Sequence, residues 1–599
     1  MAELVADFIL KRLREWGVHR IYGYPGDGIN GFLGALDRAD PDPEFIQARH
    51  EEMAAFMACA HAKFTDEVGV CMATSGPGAI HLLNGLYDAK LDHAPVVAIV
   101  GQQKRMSLGA AYQQEVDLPV LFKDVSEFVQ VCMEPAQARH LVDRAVRIAL
   151  DKKGVTTLIV PNDVQEEKAV ESPPREHGAV YSSVGYTRPR VLPHDEDLDH
   201  AARVLNEGKK VAMLVGQGAA GARDELIETA ELLGAGVAKA LLGKDVLPDS
   251  LPFVTGPIGL LGSTASYELM KGCDTLFMVG TSFPYAEFLP KEGQARCVEI
   301  DLEASRIALR YPVDAQLIGD AKETLRALIP KLERKQDRSW REQIEGQVDE
   351  WWRVVEDRAF QDADPMNPQR VVWELSQRLP DDAIICADSG SSTNWFARDL
   401  KLKEHNRASL SGTLATMGPG TPYAIAAKFA HQGRPVIALV GDGAFQMNGM
   451  NELITVKRYH ERWKDNPTLV FCVFNNQDLN QVTWEQRVMS GDPKFPGTQW
   501  IPSIPYAKYA ELIGFKGIYC ENGDEVGSAW EQALNAGGPC LLEVKTDPEI
   551  PPLPPHITRM QAEKMAKAMV KGDPERVGVM EKSLVGKLVE FKESLPGRK

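Results

Sequence analysis

Short apolar runs alternate along the chain with longer segments in which apolar and polar residues recur at helical spacing. Up to about residue 165, the apolar runs are HRIYGYP, EFIQARH, GVCMATS, PVVAIVG and TTLIVPN. Short continuous apolar runs separated by helical segments are typical of buried parallel strands joined by crossover helices. The pattern therefore predicts a doubly wound parallel α/β domain over residues 1–180.

The same alternation returns twice after a proline-rich connector. That connector contains Pro173, Pro174, Pro189 and Pro193, which predict a linker. The runs KVAMLVGQG, DTLFMVGTS and ARCVEIDLE predict a second α/β domain over residues 190–335, followed by a charged, tryptophan-containing helix at 340–360. The runs DAIICADSG, PVIALVGDG, TLVFCVFNN and PCLLEVKTD predict a third domain over residues 365–548.

One segment occurs in similar form in the first and third units. ATSGPGAIHLLNGL at residues 73–86 is matched by ATMGPGTPYAIAAK at residues 415–428, and both follow a predicted strand. The repeat favours two similar domains flanking a different one. We therefore predict an α/β protein with three doubly wound parallel-sheet domains and a C-terminal helical tail.

The tail, residues 549–599, begins with PEIPPLPPH and then becomes helical. Its last predicted helix carries one apolar stripe, formed by Val577, Met580, Leu584, Leu588, Phe591 and Leu595. Packing of this stripe on the protein's own surface is the favoured interpretation. A helix that docks on a membrane surface or on a partner is the alternative.

Composition and charge exclude several classes of protein. Of the 599 residues 44% are apolar and 25% charged, and the net charge of −17 opposes binding to nucleic acid. The nine cysteines are scattered without a Cys-x-x-Cys pair, which is typical of reduced core residues in a cytoplasmic protein. The N-terminal segment has no signal-peptide core, and no apolar run is long enough to span a membrane.

Two Gly-Asp-Gly tripeptides, at residues 26–28 and 441–443, are candidate ligand sites. A lone tripeptide of this kind is usually a tight turn. The later one follows a buried-strand pattern and opens a helix, where free backbone N–H groups favour a diphosphate. The next strand ends in Asn475 and Asn476. Carboxylate, carboxamide and carbonyl oxygens suit Mg²⁺, so we predict metal ligands at Asp442, Asn476 and Asp478.

Gly-Asp-Gly followed by Asn-Asn resembles the signature of thiamine diphosphate enzymes, although the interval here is a few residues longer. The segment RHEEMAAFMACAH resembles the one that carries the activating glutamate of that family, at Glu51. The resemblance implies that Glu51 shifts the aminopyrimidine to its imino tautomer, whose nitrogen removes the thiazolium proton. Viewed alone, Glu51 is an acid at a helix N-terminus.

The resemblance extends along nearly the whole chain and implies further site residues. Met417 corresponds to the residue that wedges beneath the cofactor, and the Asp27 turn corresponds to one that approaches the reacting end of the cofactor. The implied thiamine diphosphate contacts are Thr74, Asn84, Gly390, Ser391, Ser392, Met417, Gly441, Gly443 and Ala444.

The middle domain resembles those of pyruvate oxidases and acetolactate synthases, which bind FAD. The implied FAD contacts are Gly216, Gly218, Gly243, Lys244, Gly280, Thr281, Phe283, Asp301 and Asp320. Glycine at a strand end is more often structural, so these residues support an FAD site only when they are taken together.

Two features favour an oxidase over a synthase. His81 resembles the oxidases where synthases commonly carry Asn, and Val482 with Glu485 resembles the oxidase active site where synthases usually have Trp at the second position. Gln114 matches the family, whereas Gln113 replaces a commonly aromatic residue. A solvated helix acid is the alternative for Glu485.

The oxidase resemblance implies oxidative decarboxylation of pyruvate, or a similar small 2-keto acid, to acetate or acetyl phosphate. Electrons would pass from a thiamine-bound enamine to FAD and then to quinone or O₂. An acetolactate synthase-like carboligase with non-redox FAD is the alternative, and an inactive cofactor-binding scaffold is the third. The family geometry implies a homodimer as the minimum and a tetramer as the expected assembly. The tail allows peripheral contact with the inner face of the membrane.

Overall fold

Every strand predicted from an apolar run is present in the structure, a computed structural model that describes residues 3–552 and 554–593, with side chains described through residue 584. The described strands form three sheets of six, in each of which all neighbours are parallel. The predicted α/β class with three doubly wound domains is confirmed.

The first sheet has the strand order β2-β1-β3-β4-β6-β5. Its strands are β1 (Arg20–Gly23), β2 (Glu44–Gln47), β3 (Gly69–Ala73), β4 (Val96–Gln102), β5 (Phe128–Val131) and β6 (Val155–Pro161). Its helices are α1 (Val5–Glu15), α2 (Asn30–Ala39), α3 (Glu51–Thr65), α4 (Pro77–His81), α5 (Leu83–Leu91), α6 (Leu118–Leu121), α7 (Ala138–Lys152) and α8 (Asn162–Gln165).

The middle sheet has the order β12-β11-β10-β7-β8-β9, which is the 3-2-1-4-5-6 arrangement of dinucleotide-binding domains. Its strands are β7 (Val211–Val215), β8 (Gly236–Lys239), β9 (Val254–Pro257), β10 (Thr275–Val279), β11 (Arg296–Asp301) and β12 (Ala315–Ile318). Its helices are α9 (Asp195–Glu207), α10 (Arg223–Leu233), α11 (Thr264–Gly272) and α12 (Ala321–Leu328), and the predicted charged helix follows as α13 (Ser339–Ala359).

The third sheet, β14-β13-β15-β16-β18-β17, repeats the order of the first, which confirms the predicted pair of similar domains. Its strands are β13 (Ile384–Ala387), β14 (Arg407–Ser409), β15 (Val436–Gly441), β16 (Leu469–Asn475), β17 (Lys516–Cys520) and β18 (Pro539–Lys545). Its helices are α14 (Pro368–Arg378), α15 (Ser391–Arg398), α16 (Gly420–Ala430), α17 (Asp442–Ala444), α18 (Met450–Tyr459), α19 (Asn480–Glu485), α20 (Pro496–Gln499), α21 (Tyr506–Leu512) and α22 (Val526–Leu534).

Helix α3 joins the first domain to the third. Its alanine-rich sequence is buried on nearly all sides because it lies between its own sheet and α16. The same apolar core continues across this contact, with Phe56 and Met57 on one side and Tyr423 and Ile425 on the other. The two similar domains are therefore one packed unit. Glu51 is the first residue of α3, the helix that lies between them.

The tail forms α23 (Arg559–Val570) and α24 (Arg576–Glu593). Val579 of α24 is buried, but Val577, Met580 and Leu584 are 73, 59 and 63% exposed. The favoured expectation that the stripe packs on the protein's own surface is therefore wrong for these three residues. The side chains of Leu588, Phe591 and Leu595 lie outside the described residues. Within the described ranges, no helix has the length and apolarity needed to cross a membrane.

Candidate active site

The second Gly-Asp-Gly tripeptide turns from β15 into α17, as the sequence predicts. Asp442 is 3% exposed, and its carboxylate accepts hydrogen bonds from the backbone N–H of Gly443 at 2.9 Å and of Gln477 at 2.6 Å. Burial raises the pKa of Asp442 to about 7. A desolvated carboxylate whose hydrogen-bond donors are backbone N–H groups, with Lys545 as a nearby positive charge, is one that a bound cation would stabilise.

The predicted metal ligands on the neighbouring strand lie in a tight turn after β16. Asn476 Oδ1 accepts the Asp478 N–H at 3.0 Å. The Asp478 carboxylate is engaged elsewhere, since Lys494 Nζ lies 3.2 Å from Oδ1 and the Thr483 hydroxyl donates to the same oxygen at 3.0 Å. Among the described residues no hydrogen bond reaches the Asp478 carbonyl oxygen. Asp442, Asn476 and this carbonyl form an oxygen set that fits Mg²⁺.

Space for a diphosphate lies beside two helix starts. No atom lies within 4 Å of the place where Gly441 would carry a Cβ, and the same holds for Gly390, which has φ +110° directly before α15. Ala444 is buried in α17, and Ser391 opens α15. The Ser392 hydroxyl instead donates to the Asp388 carbonyl at 2.9 Å, so its side chain holds the turn.

Asp388 shapes the loop that carries Met417. Its carboxylate accepts N–H groups of Gly418, Gly420 and Ser389, each at 2.8 Å, and burial raises its pKa to about 7. A Cβ built on Gly443 would lie 3.5 Å from Met417 Cε. Met417 thus reaches the Gly-Asp-Gly turn. Asp388 was not among the residues predicted from the sequence, although its position directly after a predicted strand was an available signal.

The first domain brings a second group of predicted residues together. Glu51 is 8% exposed, and its Oε2 lies 3.0 Å from His81 Nδ1. The His50 ring packs on the His81 ring with centroids 4.4 Å apart. A Cβ on Gly78 would lie 3.1 Å from Glu51 Oε1, so this turn approaches the carboxylate closely. Asn84 donates to Glu52 at 2.5 Å and to Thr416 at 3.0 Å, next to Met417.

The first Gly-Asp-Gly turn lies against the same group. The Gly28 N–H donates to the Thr74 hydroxyl at 2.9 Å, which places Asp27 beside the loop that follows β3. Gln114 lies on the other side of that loop, with Oε1 3.4 Å from the Ser75 hydroxyl. The structure therefore brings Asp27, Thr74, Gln114, His81 and Glu51 to one edge of the first sheet.

Substitution of Gly28 tests this close approach. A Cβ at Gly28 would lie 2.6 Å from the Ser75 hydroxyl, so Gly28→Ala is expected to cost about 1–3 kcal/mol of unfolding free energy by overpacking. Gly433→Ala is the control, since no atom lies within 4 Å of its Cβ position. Urea unfolding measures both, and equal midpoints for the two variants would contradict the packing described here.

The predicted FAD residues of the middle domain cluster where the strand order reverses, between β7 and β10. The loop after β7 has the pattern Gly-x-Gly-x-x-Gly from Gly216 to Gly221. A Cβ on Gly216 would lie 2.5 Å from the Gly280 carbonyl, and one on Gly243 would lie 2.9 Å from Gly216 Cα. These glycines are needed for close backbone packing at the point where open α/β sheets bind ligands.

Other predicted FAD residues have structural partners. The Lys244 ammonium is buried against Asp249 Oδ2 at 3.0 Å and the Leu400 carbonyl at 2.7 Å, so its charge faces the protein interior. Asp320 caps α12 by accepting the N–H groups of Lys322 and Glu323. Thr281 and Phe283 are buried after β10, and burial raises the pKa of Asp301 at the end of β11.

One cavity of about 3440 Å³ extends from the middle domain to part of the third domain, and neither Asp442 nor Asn476 is among the described residues that line it. It is lined by the middle-domain residues at the β7–β10 switch point and by Gly390, Met417, Val482 and Glu485 of the third domain. The tail helices form another wall. Its volume exceeds what one small ligand fills, so a dinucleotide and a small substrate can share it. Among the described residues that line it, Glu51 and His81 are absent.

Three charged residues that were not predicted from the sequence, Arg487, Asp573 and Glu575, lie where the tail meets α19. Trp484 packs against Met569 and Val579 of the tail, and its neighbour Arg487 is fully buried in ion pairs with Asp573 and Glu575. Arg487 lies in a five-residue π-helical segment, Gln486–Ser490, that extends α19. The local sequence is polar and carries no signal that its basic residue is buried.

Family models match all three domains. The N-terminal thiamine pyrophosphate binding domain of thiamine pyrophosphate enzymes matches residues 4–120, the central domain matches 198–328, and the C-terminal thiamine pyrophosphate binding domain matches 388–544.

Relatives align along most of the chain. The protein YdaP of Bacillus subtilis, named as thiamine pyrophosphate-containing, is 38% identical over 93% of this chain and 94% of its own. A probable acetolactate synthase large subunit of Methanocaldococcus jannaschii is 32% identical over 92% of this chain and 93% of its own. Pyruvate oxidase of Lactiplantibacillus plantarum is 28% identical over 88% of this chain and 85% of its own. The chain therefore belongs to the thiamine pyrophosphate enzyme family.

Proposed function

We propose that the protein is a thiamine diphosphate-, Mg²⁺- and FAD-dependent oxidoreductase that oxidatively decarboxylates pyruvate or a similar small 2-keto acid. The observation that carries the proposal is the single cavity that the dinucleotide-type switch point of the middle domain shares with Met417, Val482 and Glu485. A flavin held at that switch point and a substrate beside Glu485 would lie in one enclosure. Electron transfer between them needs that proximity.

The third domain would hold the thiamine cofactor through its diphosphate. Asp442, Asn476 and the Asp478 carbonyl would bind Mg²⁺, and the N–H groups at the starts of α15 and α17 would face the phosphate oxygens. When bound, the cofactor would supply a nucleophilic carbon for the keto group and an electron sink for the charge left by CO₂ loss. Asp388 would keep Met417 in place by binding the N–H groups of Gly418 and Gly420, which follow it in the loop.

Glu51 would hold the proton that activates the cofactor. Its buried carboxyl is oriented by the 3.0 Å contact with His81, whose ring is in turn packed on His50. A carboxyl fixed in this way can donate to a ring nitrogen with little reorganisation. Asp27 and Gln114 would lie at the reacting end of the cofactor. Val482 and Glu485, which belong to the third domain, would enclose the substrate.

We further propose that each active site lies between two chains. Glu51 and His81 belong to the first domain, whereas the diphosphate turn at Asp442 belongs to the third. A second copy would bring its first-domain edge to the diphosphate turn, which makes a homodimer the minimum and a tetramer the expected assembly. The domain limits 1–180, 190–335, 365–548 and 549–599 stay predictions.

An anaerobic reaction with pyruvate distinguishes the oxidase from the synthase. The holoenzyme mixed with pyruvate without O₂ is expected to lose its oxidised-flavin absorbance at the rate of CO₂ release. The control is the same mixture with the Glu51→Gln variant, in which the flavin is expected to stay oxidised. Acetolactate formed with the flavin still oxidised would contradict the oxidase and support the carboligase, which the likeness to acetolactate synthases favours.

The product and the electron acceptor are separate questions within the same proposal. Product analysis with and without phosphate separates acetyl phosphate from acetate, and reoxidation by O₂ or by a quinone identifies the acceptor. The exposed residue Val577 supports a peripheral contact of the tail with a membrane that contains quinone, whereas Met580 and Leu584 line the large cavity.

A further inference from the structure

A buried ion-pair cluster anchors the tail beside α19. The Arg487 guanidinium makes two parallel hydrogen bonds to Asp573, Nε to Oδ2 and Nη2 to Oδ1, each at 2.8 Å. Nη2 also donates to Glu575 Oε2 at 2.8 Å. The side chains of Arg487 and Asp573 are both fully buried. Asp573 lies between α23 and α24, so the bidentate pair fixes the point where the tail turns.

Lys494 extends this cluster to the predicted metal turn. Its Nζ lies 2.6 Å from Glu575 Oε1 and 3.2 Å from Asp478 Oδ1, and its backbone N–H donates to Asp573 Oδ2 at 2.8 Å. The Asp478 N–H then donates to the carboxamide oxygen of Asn476. A continuous series of contacts therefore connects the tail with a residue proposed to bind Mg²⁺.

The charges of this network do not balance. Asp478, Asp573 and Glu575 carry three negative charges, and Arg487 and Lys494 carry two positive ones. The surplus negative charge lies next to the oxygen set of the metal site, where a divalent cation would be attracted to it. Replacement of Glu575 by Gln removes that surplus and one of the two hydrogen-bonded carboxylates that hold Lys494.

The tail has a second anchor that reaches the metal turn only indirectly, since the Pro548 carbonyl beside it accepts a hydrogen bond from Asn480, which also donates to Asp478. Lys582 of α24 pairs with Asp547 and with Glu549, the latter at 2.8 Å. Trp484 adds apolar contacts with Met569 and Val579. The contact of Lys494 with Asp478 is therefore separable from attachment of the tail as such.

We infer that Asp573 and Glu575 of the tail position the metal turn through Arg487 and Lys494, so that the tail is part of the Mg²⁺ site. The inference rests on the proposed thiamine diphosphate and Mg²⁺ site. Replacing a residue that hydrogen-bonds to a metal ligand and orients it typically lowers metal affinity by about 10–100-fold. The four residues are positioning residues, since none of them contacts the metal.

Calorimetric titration of Mg²⁺ into the full chain with saturating thiamine diphosphate tests this inference. Glu575→Gln and Lys494→Met are each expected to raise the Kd for Mg²⁺ about 10-fold. Lys582→Gln, which breaks only the second anchor, is the matched control and is expected to stay within about twofold. Glu575→Gln is isosteric at a partly exposed position, so it is expected to fold even if Lys494→Met does not.

Limited proteolysis of the tail gives a readout that a merely structural role would not change. Because linkage is reciprocal, Mg²⁺ with thiamine diphosphate should slow cleavage between α23 and α24 in the wild type. The factor by which these ligands slow cleavage should be about 10-fold smaller in Glu575→Gln. Wild-type binding with unchanged Kd values in both variants would overturn this inference alone. A wild type that binds no Mg²⁺ would overturn the cofactor site and this inference together.

Discussion

The Glu51→Gln variant is expected to lose at least about 100-fold in turnover with pyruvate while it still binds Mg²⁺ and thiamine diphosphate. A positioned proton donor or acceptor typically contributes 10²–10⁴-fold to a rate. The amide keeps the shape of the side chain and its place at the start of α3, but it cannot exchange a proton with the cofactor. Steady-state CO₂ release and a calorimetric titration of the cofactor measure the two quantities separately.

The structure offers a matched control for that variant. Glu67 follows the other end of the same helix, has an exposed side chain and pairs with His61, so Glu67→Gln is expected to leave turnover within about twofold. Unchanged turnover in Glu51→Gln would refute the proposed mechanism, whereas a wild type that binds the cofactor without turnover would support the interpretation of the protein as an inactive cofactor-binding scaffold. Loss of cofactor binding in the same variant would instead assign Glu51 a binding role.

The central strands were predictable because each is a continuous apolar run buried on both faces. The strands that sequence reasoning missed are mostly at sheet edges, such as β5 and β17, where half-exposed residues break the apolar run. β14 has only three residues. β8 is an inner strand, but its sequence GVAK contains a glycine and Lys239, whose charge is compensated only by tertiary contacts with Asp249 and two carbonyl groups.

Some residues of the candidate site were likewise predictable from the sequence, and others were not. Turn motifs such as the one at Asp442 were predictable because a strand end, a glycine pair and a helix start adjoin in sequence. The pairing of Arg487 with Asp573 was not, since the two residues are far apart in the chain and each looks like a solvated charge. Lys244 illustrates the opposite case. The family resemblance implies an FAD contact at this residue, but it does not reveal the buried ion pair of Lys244 with Asp249.

Asp442→Asn is expected to weaken Mg²⁺ binding by about 100-fold and, with it, to abolish retention of thiamine diphosphate at micromolar concentration. The substitution removes the only formal charge among the three proposed ligand groups, and the number of charged ligands sets affinity for hard cations.

Asp399→Asn is the matched control. Asp399 is equally buried in the same domain, and burial raises its pKa to about 6, but it accepts from Gln369 and has no place at a strand end. Its replacement is expected to change stability and to leave the Kd for Mg²⁺ within about twofold. Equal Mg²⁺ affinity in wild type and Asp442→Asn would contradict the metal assignment, because the remaining carboxamide and carbonyl oxygens are too weak a set to retain a divalent ion in water.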